Sequence, residues 1–215
     1  MPPPEVQGRT NVAGGTTPGM EEVESRQEQR SRTPGAAATL TVHGVLMEIC
    51  GIGVLIRGPS GIGKGDLALE LISRGQRLIA DDAPLLSRAS QLLSGDCSPL
   101  LRNLLEVRDL GVLNIAVLFG EQTTASSTLL QLIVTLDMVA AEPETAERGI
   151  AGPTYCTCRL LDVEVPEVRL ALRTGRPTAL LVETLVKNFK LQQQGYFSHA
   201  DLSERQRRVM TQSPQ

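Results

Sequence analysis

GIGVLIRGPSGIGKGDLALELISRGQRLIADD, residues 51–82, changes character three times. An apolar run, Val54-Leu55-Ile56, reads as a buried strand and stops at a glycine-rich turn, Gly58-Pro59-Ser60-Gly61-Ile62-Gly63-Lys64-Gly65. Leu67, Ala68, Leu71 and Ile72 then fall on one stripe of a helix, which Arg74-Gly75 ends with a basic residue and a glycine stop. A second apolar run, Leu78-Ile79-Ala80, finishes in Asp81-Asp82. Strand, glycine-rich loop, helix and acid-tipped strand together form the arrangement of a nucleoside-triphosphate site. The glycines let backbone N–H groups turn toward phosphate oxygens, the helix N-terminus favours negative charge, and Lys64 reaches the terminal phosphates. Gly58 through Gly65 are therefore the candidate nucleotide-binding residues, with ATP as the candidate nucleotide.

The strict form of such a loop is G-x4-G-K-[ST], and here Gly65 replaces the hydroxyl residue. A glycine in the first helical turn costs up to about 1 kcal/mol relative to alanine, which a fold tolerates. The chemical consequence is larger, because Mg²⁺ loses one protein ligand. Water can fill that place, since Mg²⁺ ordinarily keeps several waters. Asp66, next in sequence, is a candidate carboxylate for the same cation. Asp81 and Asp82 repel one another, and a cation between them relieves that repulsion.

The rest of the chain sets limits. It has 215 residues, enough for one domain and a tail. Hydrophobic residues make up 41% and aromatics 2%, with no Trp, so the core must be aliphatic. A net charge of −3 speaks against a dedicated nucleic-acid binder, and no apolar run has transmembrane length. The N-terminus lacks the apolar segment of a secretory signal, and Cys50, Cys97, Cys156 and Cys158 read as reduced thiols in a cytoplasm.

Residues 1–38 read as a disordered tail: they are rich in Pro, Gly and charge, with few apolar residues to offset the entropy of ordering. A folded domain is expected over 39–195, and 196–215 reads as a polar C-terminal tail, helical or frayed. Within the domain, residues 41–49 suggest one or two short strands turning near Gly44. Leu85-Leu86 and Gln91-Leu92-Leu93 suggest a hairpin interrupted at Ser94-Gly95-Asp96. Leu100 to Val107 reads as a short helix, Val112 to Leu118 as a buried strand or helix, and Leu129 to Leu136 as a central strand. Residues 140–153 suggest a surface excursion. Val163 to Arg173 alternates about Pro166 and reads as edge strands, and Thr178 to Phe189 as an amphipathic helix.

Taken together, three ordered blocks resemble the catalytic domain of bacterial HPr kinase/phosphorylase. GPSGIGKGDLALELISRGQRLIADD is similar to that family's loop-helix-strand block, in which serine usually follows the lysine. Glu106-Val107-Arg108-Asp109-Leu110-Gly111-Val112 is similar to its E-[IV]-R-G-L-G signature, with Asp109 in place of glycine. Arg173-Thr174-Gly175-Arg176 and the apolar helix ending Lys187-Asn188-Phe189-Lys190 are similar to its C-terminal arginine-glycine loop and helix. His43-Gly44-Val45 matches the histidine upstream of the loop. The resemblance covers roughly residues 40–192, without the family's N-terminal domain, and looks like the short alphaproteobacterial form.

The resemblance implies an α/β P-loop kinase domain of the HPr kinase and phosphoenolpyruvate carboxykinase type. It implies ATP and Mg²⁺, and a cytoplasmic protein-serine kinase acting on the phosphocarrier HPr. Phosphate-dependent reversal and a homo-oligomer, hexameric in full-length members, are implied as well. Carried over residue by residue, Asp82 is the proton-transfer acid, with Asp81 beside it to order the cation and His43 as its partner. Lys64 contacts phosphate, Glu106 joins Asp66 as a metal ligand, and Arg108 orients Glu106. Arg148 is the catalytic arginine, and Arg173 and Arg176 clamp the phosphate of the reverse reaction. If the family's glycine at position 109 needs positive φ, Asp is among the better-tolerated substitutes. Two alternatives stay open: a small-molecule P-loop kinase, and a catalytically weak nucleotide-binding regulator degenerate at Gly65 and Asp109.

Overall fold

The computed structural model describes residues 29–31, 38–138, 153, 155–173 and 175–212. Val54, Leu55 and Ile56 lie in β4 (Ile52–Arg57), which is buried over its first five residues as the centre of a ten-stranded mixed sheet. Its antiparallel neighbour is β3 (Val45–Ile49), followed by β5 (Arg77–Ala80). On its other side runs β10 (Ser127–Met138), parallel to it. β10 has two partners on its far flank. Ser127 to Leu130 pair antiparallel with β7 (Leu92–Asp96), which continues through β6 (Leu85–Ala89) to β2 (Thr39–Thr41) and β1 (Gln29–Ser31). Ile133 to Met138 instead pair parallel with β12 (Val163–Leu172), which carries β11 (Tyr155–Leu160). A separate hairpin joins β8 (Leu104–Val107) to β9 (Gly111–Asn114).

Side chains on the two faces of this sheet form two cores. One face packs Met47, Val54, Ile56, Leu132 and Val134 against α1 (Lys64–Ser73) and α3 (Thr178–Gln193). α1 buries Leu67, Ala68, Leu71 and Ile72, each large aliphatic contributing about 1.5–3 kcal/mol. The other face gathers Leu40, Leu46, Leu55, Leu86, Leu93, Ile133 and Val165 into a second core. A bulge between Leu130 and Leu132 resets the alternation of β10, so Leu130 and Ile133 share a face although they are three residues apart.

Several expectations need correction. Gln29–Ser31 is a strand inside the stretch read as a disordered tail, and the other residues of that tail up to 37 lie outside the described residues. Ser94-Gly95-Asp96 does not interrupt the hairpin: β7 runs through it, because a side chain on Gly95 would meet Leu46 Cδ2 at 2.4 Å. Leu104–Val107 is strand rather than helix. The apolar run at 112–118 is not one element, and only Ile115 and Ala116 within it are buried. Asn114 accepts the Val117 N–H at 3.2 Å and caps α2 (Ile115–Phe119), and Val112 and Val117 are 65% and 79% exposed. β12 is an edge over only part of each side: residues 163–168 pair with β11 and residues 167–172 with β10, so Glu167 and Val168 have both neighbours. Its pairing with β10 begins at Glu167, one residue past Pro166, so that ladder needs no donor from the proline. The expected surface excursion at 140–153 lies outside the described residues except for Pro153. The C-terminal segment forms α4 (Ser198–Gln212). No described helix is long and apolar enough to cross a membrane.

Candidate active site

β4 delivers the chain to Gly58 at the carboxyl end of the sheet, where the loop turns into α1. Gly58 holds φ +148°, and a Cβ there would lie 2.8 Å from the Leu136 carbonyl oxygen, so the loop can nest against β10 only as glycine. Gly63, at φ +95°, is the left-handed N-cap of α1 and provides no side-chain cap. The first-turn N–H groups of α1 therefore face the loop's concavity. Lys64 Nζ donates to the carbonyls of Gly58 and Pro59, at 2.9 and 3.2 Å. Burial lowers its pKa, while Asp82 and Asp81 pull the other way.

A cleft of about 560 Å³ opens in front of the loop. It is lined by His43, Ser60, Gly61, Gly63, Lys64 and Gly65, by the acidic residues Asp66, Asp81, Asp82, Glu106 and Asp109, and by Arg108. Asp82 sits at φ 63°, a left-handed position that Asp tolerates, and its side chain is 72% exposed. His43 Nδ1 lies 2.9 Å from Asp82 Oδ1. Asp81 turns the other way and accepts the Glu106 N–H through Oδ2 at 2.8 Å. Burial chiefly raises its pKa; the N–H donors of Glu106 and Asp82 oppose this, and the charges of Asp82 and Glu106 add to it. The two adjacent acids thus divide: Asp81 ties β5 to β8, and Asp82 faces the cleft with a histidine at its back.

The hairpin turn between β8 and β9 brings Arg108 over the loop, its Nη2 3.0 Å from where a Cβ on Gly61 would stand. The sequence reading gave Arg108 only a role toward Glu106; this reach across the loop was missed, and its signal is a cation two residues from the signature glutamate. Asp109 has φ 65°, the left-handed conformation in which Asp is a tolerated replacement for glycine. Among the described residues no three His, Cys, Asp or Glu side chains converge as a ready-made metal cage. Asp66 and Glu106, both lining the cleft, are oxygen donors of the kind a Mg²⁺-like cation takes, which binds through one or two carboxylates and the substrate's own phosphates. Arg173 and Arg176 are not among the residues lining this cleft. They flank Gly175 between β12 and α3. Arg148 lies outside the described residues.

Comparison with known proteins gives the family and the fold. Residues 35–206 match the family model described as the HPr Serine kinase C-terminal domain. An HPr kinase/phosphorylase of Bordetella petrii is 44% identical over 178 residues, covering 82% of this chain and 57% of its own length. One from Lactococcus lactis subsp. cremoris is 42% identical over 161 residues, covering 74% of this chain and 51% of its own. The chain thus spans a little over half the length of these curated relatives. The solved structure of the HPr(Ser) kinase/phosphatase from Coxiella burnetii superposes with a TM-score of 0.68 at 31% identity, over 75% of this chain and 97% of that one.

Proposed function

This chain belongs to the HPr serine kinase family through its C-terminal domain, and from that premise we propose that it transfers the terminal phosphoryl group of ATP to a serine hydroxyl of the phosphocarrier HPr and reverses the transfer with inorganic phosphate. The observation that carries this reading is the His43–Asp82 pair, 2.9 Å apart, facing the same cleft as Lys64 and the phosphate loop. A phosphoryl donor on the loop and an exposed carboxylate across from it are what transfer to a protein hydroxyl requires.

In the forward direction the loop N–H groups hold the ATP phosphates, and Lys64 exchanges the Gly58 and Pro59 carbonyls for phosphate oxygens. Arg108 supports them from the hairpin. Asp82 accepts the serine proton as the serine oxygen bonds to phosphorus and the bond to ADP breaks, and His43 fixes the carboxylate's orientation. In reverse, a phosphate oxygen bonds to the phosphorus of phosphoserine, the serine oxygen leaves, and Asp82 returns its proton to that oxygen, giving serine and pyrophosphate. Asp66 and Glu106 would hold Mg²⁺, which neutralises charge on the transferring group when bound.

Purified HPr incubated with ATP and Mg²⁺ is expected to gain one phosphoryl group by intact mass. Asp82→Asn is expected to abolish the gain while ATP affinity stays near wild type, because an amide cannot accept the serine proton. Tight ATP binding by wild type with no transfer to HPr would favour a regulatory nucleotide-binding protein instead.

A further inference from the structure

Gly65 is not only a lost hydroxyl. A Cβ at this position would stand 2.3 Å from the Glu106 carbonyl oxygen, 3.4 Å from its carbon and 3.6 Å from Val107 Cα. The carbonyl of β8 is aimed at the place where any other residue's side chain would begin. No L-residue side chain fits without moving β8 away from α1, so β8 and Gly65 are matched to one another.

We infer that the main-chain carbonyl of Glu106 supplies the neutral oxygen ligand to a divalent cation at the phosphate loop that a hydroxyl at position 65 would otherwise supply. The inference deepens the kinase reading and rests on it. The orientation of the Glu106 peptide supports it independently of the steric contact. The Glu106 N–H is taken by Asp81 Oδ2 at 2.8 Å, so it points away from β9. In an antiparallel strand the N–H and C=O of one residue face the same side, so the carbonyl also points away from β9, toward α1. Asp81 therefore anchors the same residue whose carbonyl abuts Gly65 in the first turn of α1, and Gly65, Asp81 and Glu106 all line the one cleft. The chemistry is compatible: backbone carbonyls, like hydroxyls, are hard neutral oxygen donors suited to Mg²⁺ and Mn²⁺. Substitution of one neutral oxygen for another leaves the charge at the site unchanged. Glu106 then contributes through its main chain as well as its carboxylate, and the loop keeps a protein ligand although its own residue provides none.

The test uses Mn²⁺ in place of Mg²⁺ with a non-hydrolysable ATP analogue. The full chain is made by cell-free synthesis with glutamate carrying ¹³C only at the main-chain carbonyl; Glu106 is the sole glutamate among the described residues lining the cleft. Electron–nuclear double resonance is expected to show the ¹³C coupling of a directly bound carbonyl. In Gly65→Ala, whose Cβ displaces the carbonyl, the coupling should vanish and Mn²⁺ affinity should fall about tenfold. Gly65→Ser should recover part of that affinity through its own hydroxyl. Bound Mn²⁺ without ¹³C coupling in wild type would overturn the assignment while leaving the kinase reading in place, and so would a Gly65→Ala protein that binds Mn²⁺ as tightly as wild type. Failure of wild type to bind Mn²⁺ with nucleotide would overturn both. The wild-type spectrum decides the matter even if a variant does not fold.

Discussion

Asp81 shows how one residue's environment separates it from an identical neighbour. Its carboxylate is drawn under β8 to meet the Glu106 N–H, and burial raises its pKa despite that bond. The folded state then holds the Asp81 proton more readily than the unfolded chain does. Stability from this group is therefore greatest at acid pH and falls as pH rises from the ordinary aspartate range through the raised native value. Asp81→Asn keeps an oxygen for the Glu106 N–H and removes the cost of a buried charge. Thermal melting of the nucleotide-free variant at neutral pH should match or exceed wild type, and the advantage should disappear in acid. A variant less stable than wild type at neutral pH would mean that the charge-assisted bond outweighs desolvation. Either result is separate from Asp82, which is solvated and spends its carboxylate on His43 and the cleft.

Between elements, the phosphate loop is steadied from the far end of its helix. Glu183 on α3 accepts from Arg74 Nε at 2.9 Å and from Lys187 Nζ at 2.7 Å, joining the C-terminus of α1 to α3. Lys187 and then Arg74 lower the Glu183 pKa. The sign is opposite to that of Asp81: the contribution is present above the ordinary glutamate range and is lost as pH falls through the lowered native value. Glu183 is 11% exposed, but its partners are 37% and 58% exposed, so Glu183→Gln should cost about 1 kcal/mol rather than the 3–5 of a fully buried pair. Urea unfolding at neutral pH reads this directly, and the difference from wild type should shrink in acid; a difference independent of pH would mean packing rather than charge. Most of this part of the fold was legible in the sequence. β4, α1 and β5 followed from apolar runs, helical periodicity and glycine stops, because β4 and β5 are buried on both faces and α1 lays one stripe on a single core. What escaped was set by contacts distant in sequence. Gly95 reads as a break until Leu46 is seen lying over it, and the run at 112–118 reads as one element until Asn114 caps a new helix. In the site, the loop and the two acids were legible as a local motif. The division of labour between Asp81 and Asp82, the match of Gly65 to β8 and the reach of Arg108 depend on how a separate hairpin seats against the sheet.

For the whole molecule, sheet polarity decides where the remaining arginines can act. β4, β10 and β12 run parallel, so the phosphate loop after β4 and the turn after β12 leave the same edge of the sheet. Arg57 is level with Arg169 through Thr135, so β12 runs three residues further; two strand spacings across and that stagger along put roughly 14 Å between the two strand ends. The turn after β12 carries Arg173 and Arg176, with the Arg176 N–H donating to the Arg173 carbonyl at 3.2 Å and Gly175 at φ 78°. It leads into the N-terminus of α3, where Pro177 gives no side-chain cap and the first turn holds no acid. Two exposed guanidinium groups beside an uncapped helix start favour an anion there. Neither arginine lines the cleft in front of the loop, where the proposed ATP site lies, so an anion other than ATP is proposed for this turn. The reverse reaction must bring inorganic phosphate against phosphoserine, two anions whose repulsion calls for more positive charge than the forward reaction, in which ATP arrives with its own cation. Arg176→Ala is therefore expected to slow phosphate-dependent dephosphorylation of phospho-HPr about tenfold more than it slows phosphorylation by ATP, with ATP affinity unchanged. Both rates are measured on one preparation, by intact mass of HPr and by pyrophosphate release. Equal losses in the two directions would move Arg176 from phosphate binding to the docking of HPr, the other role open to a cation on this edge of the sheet.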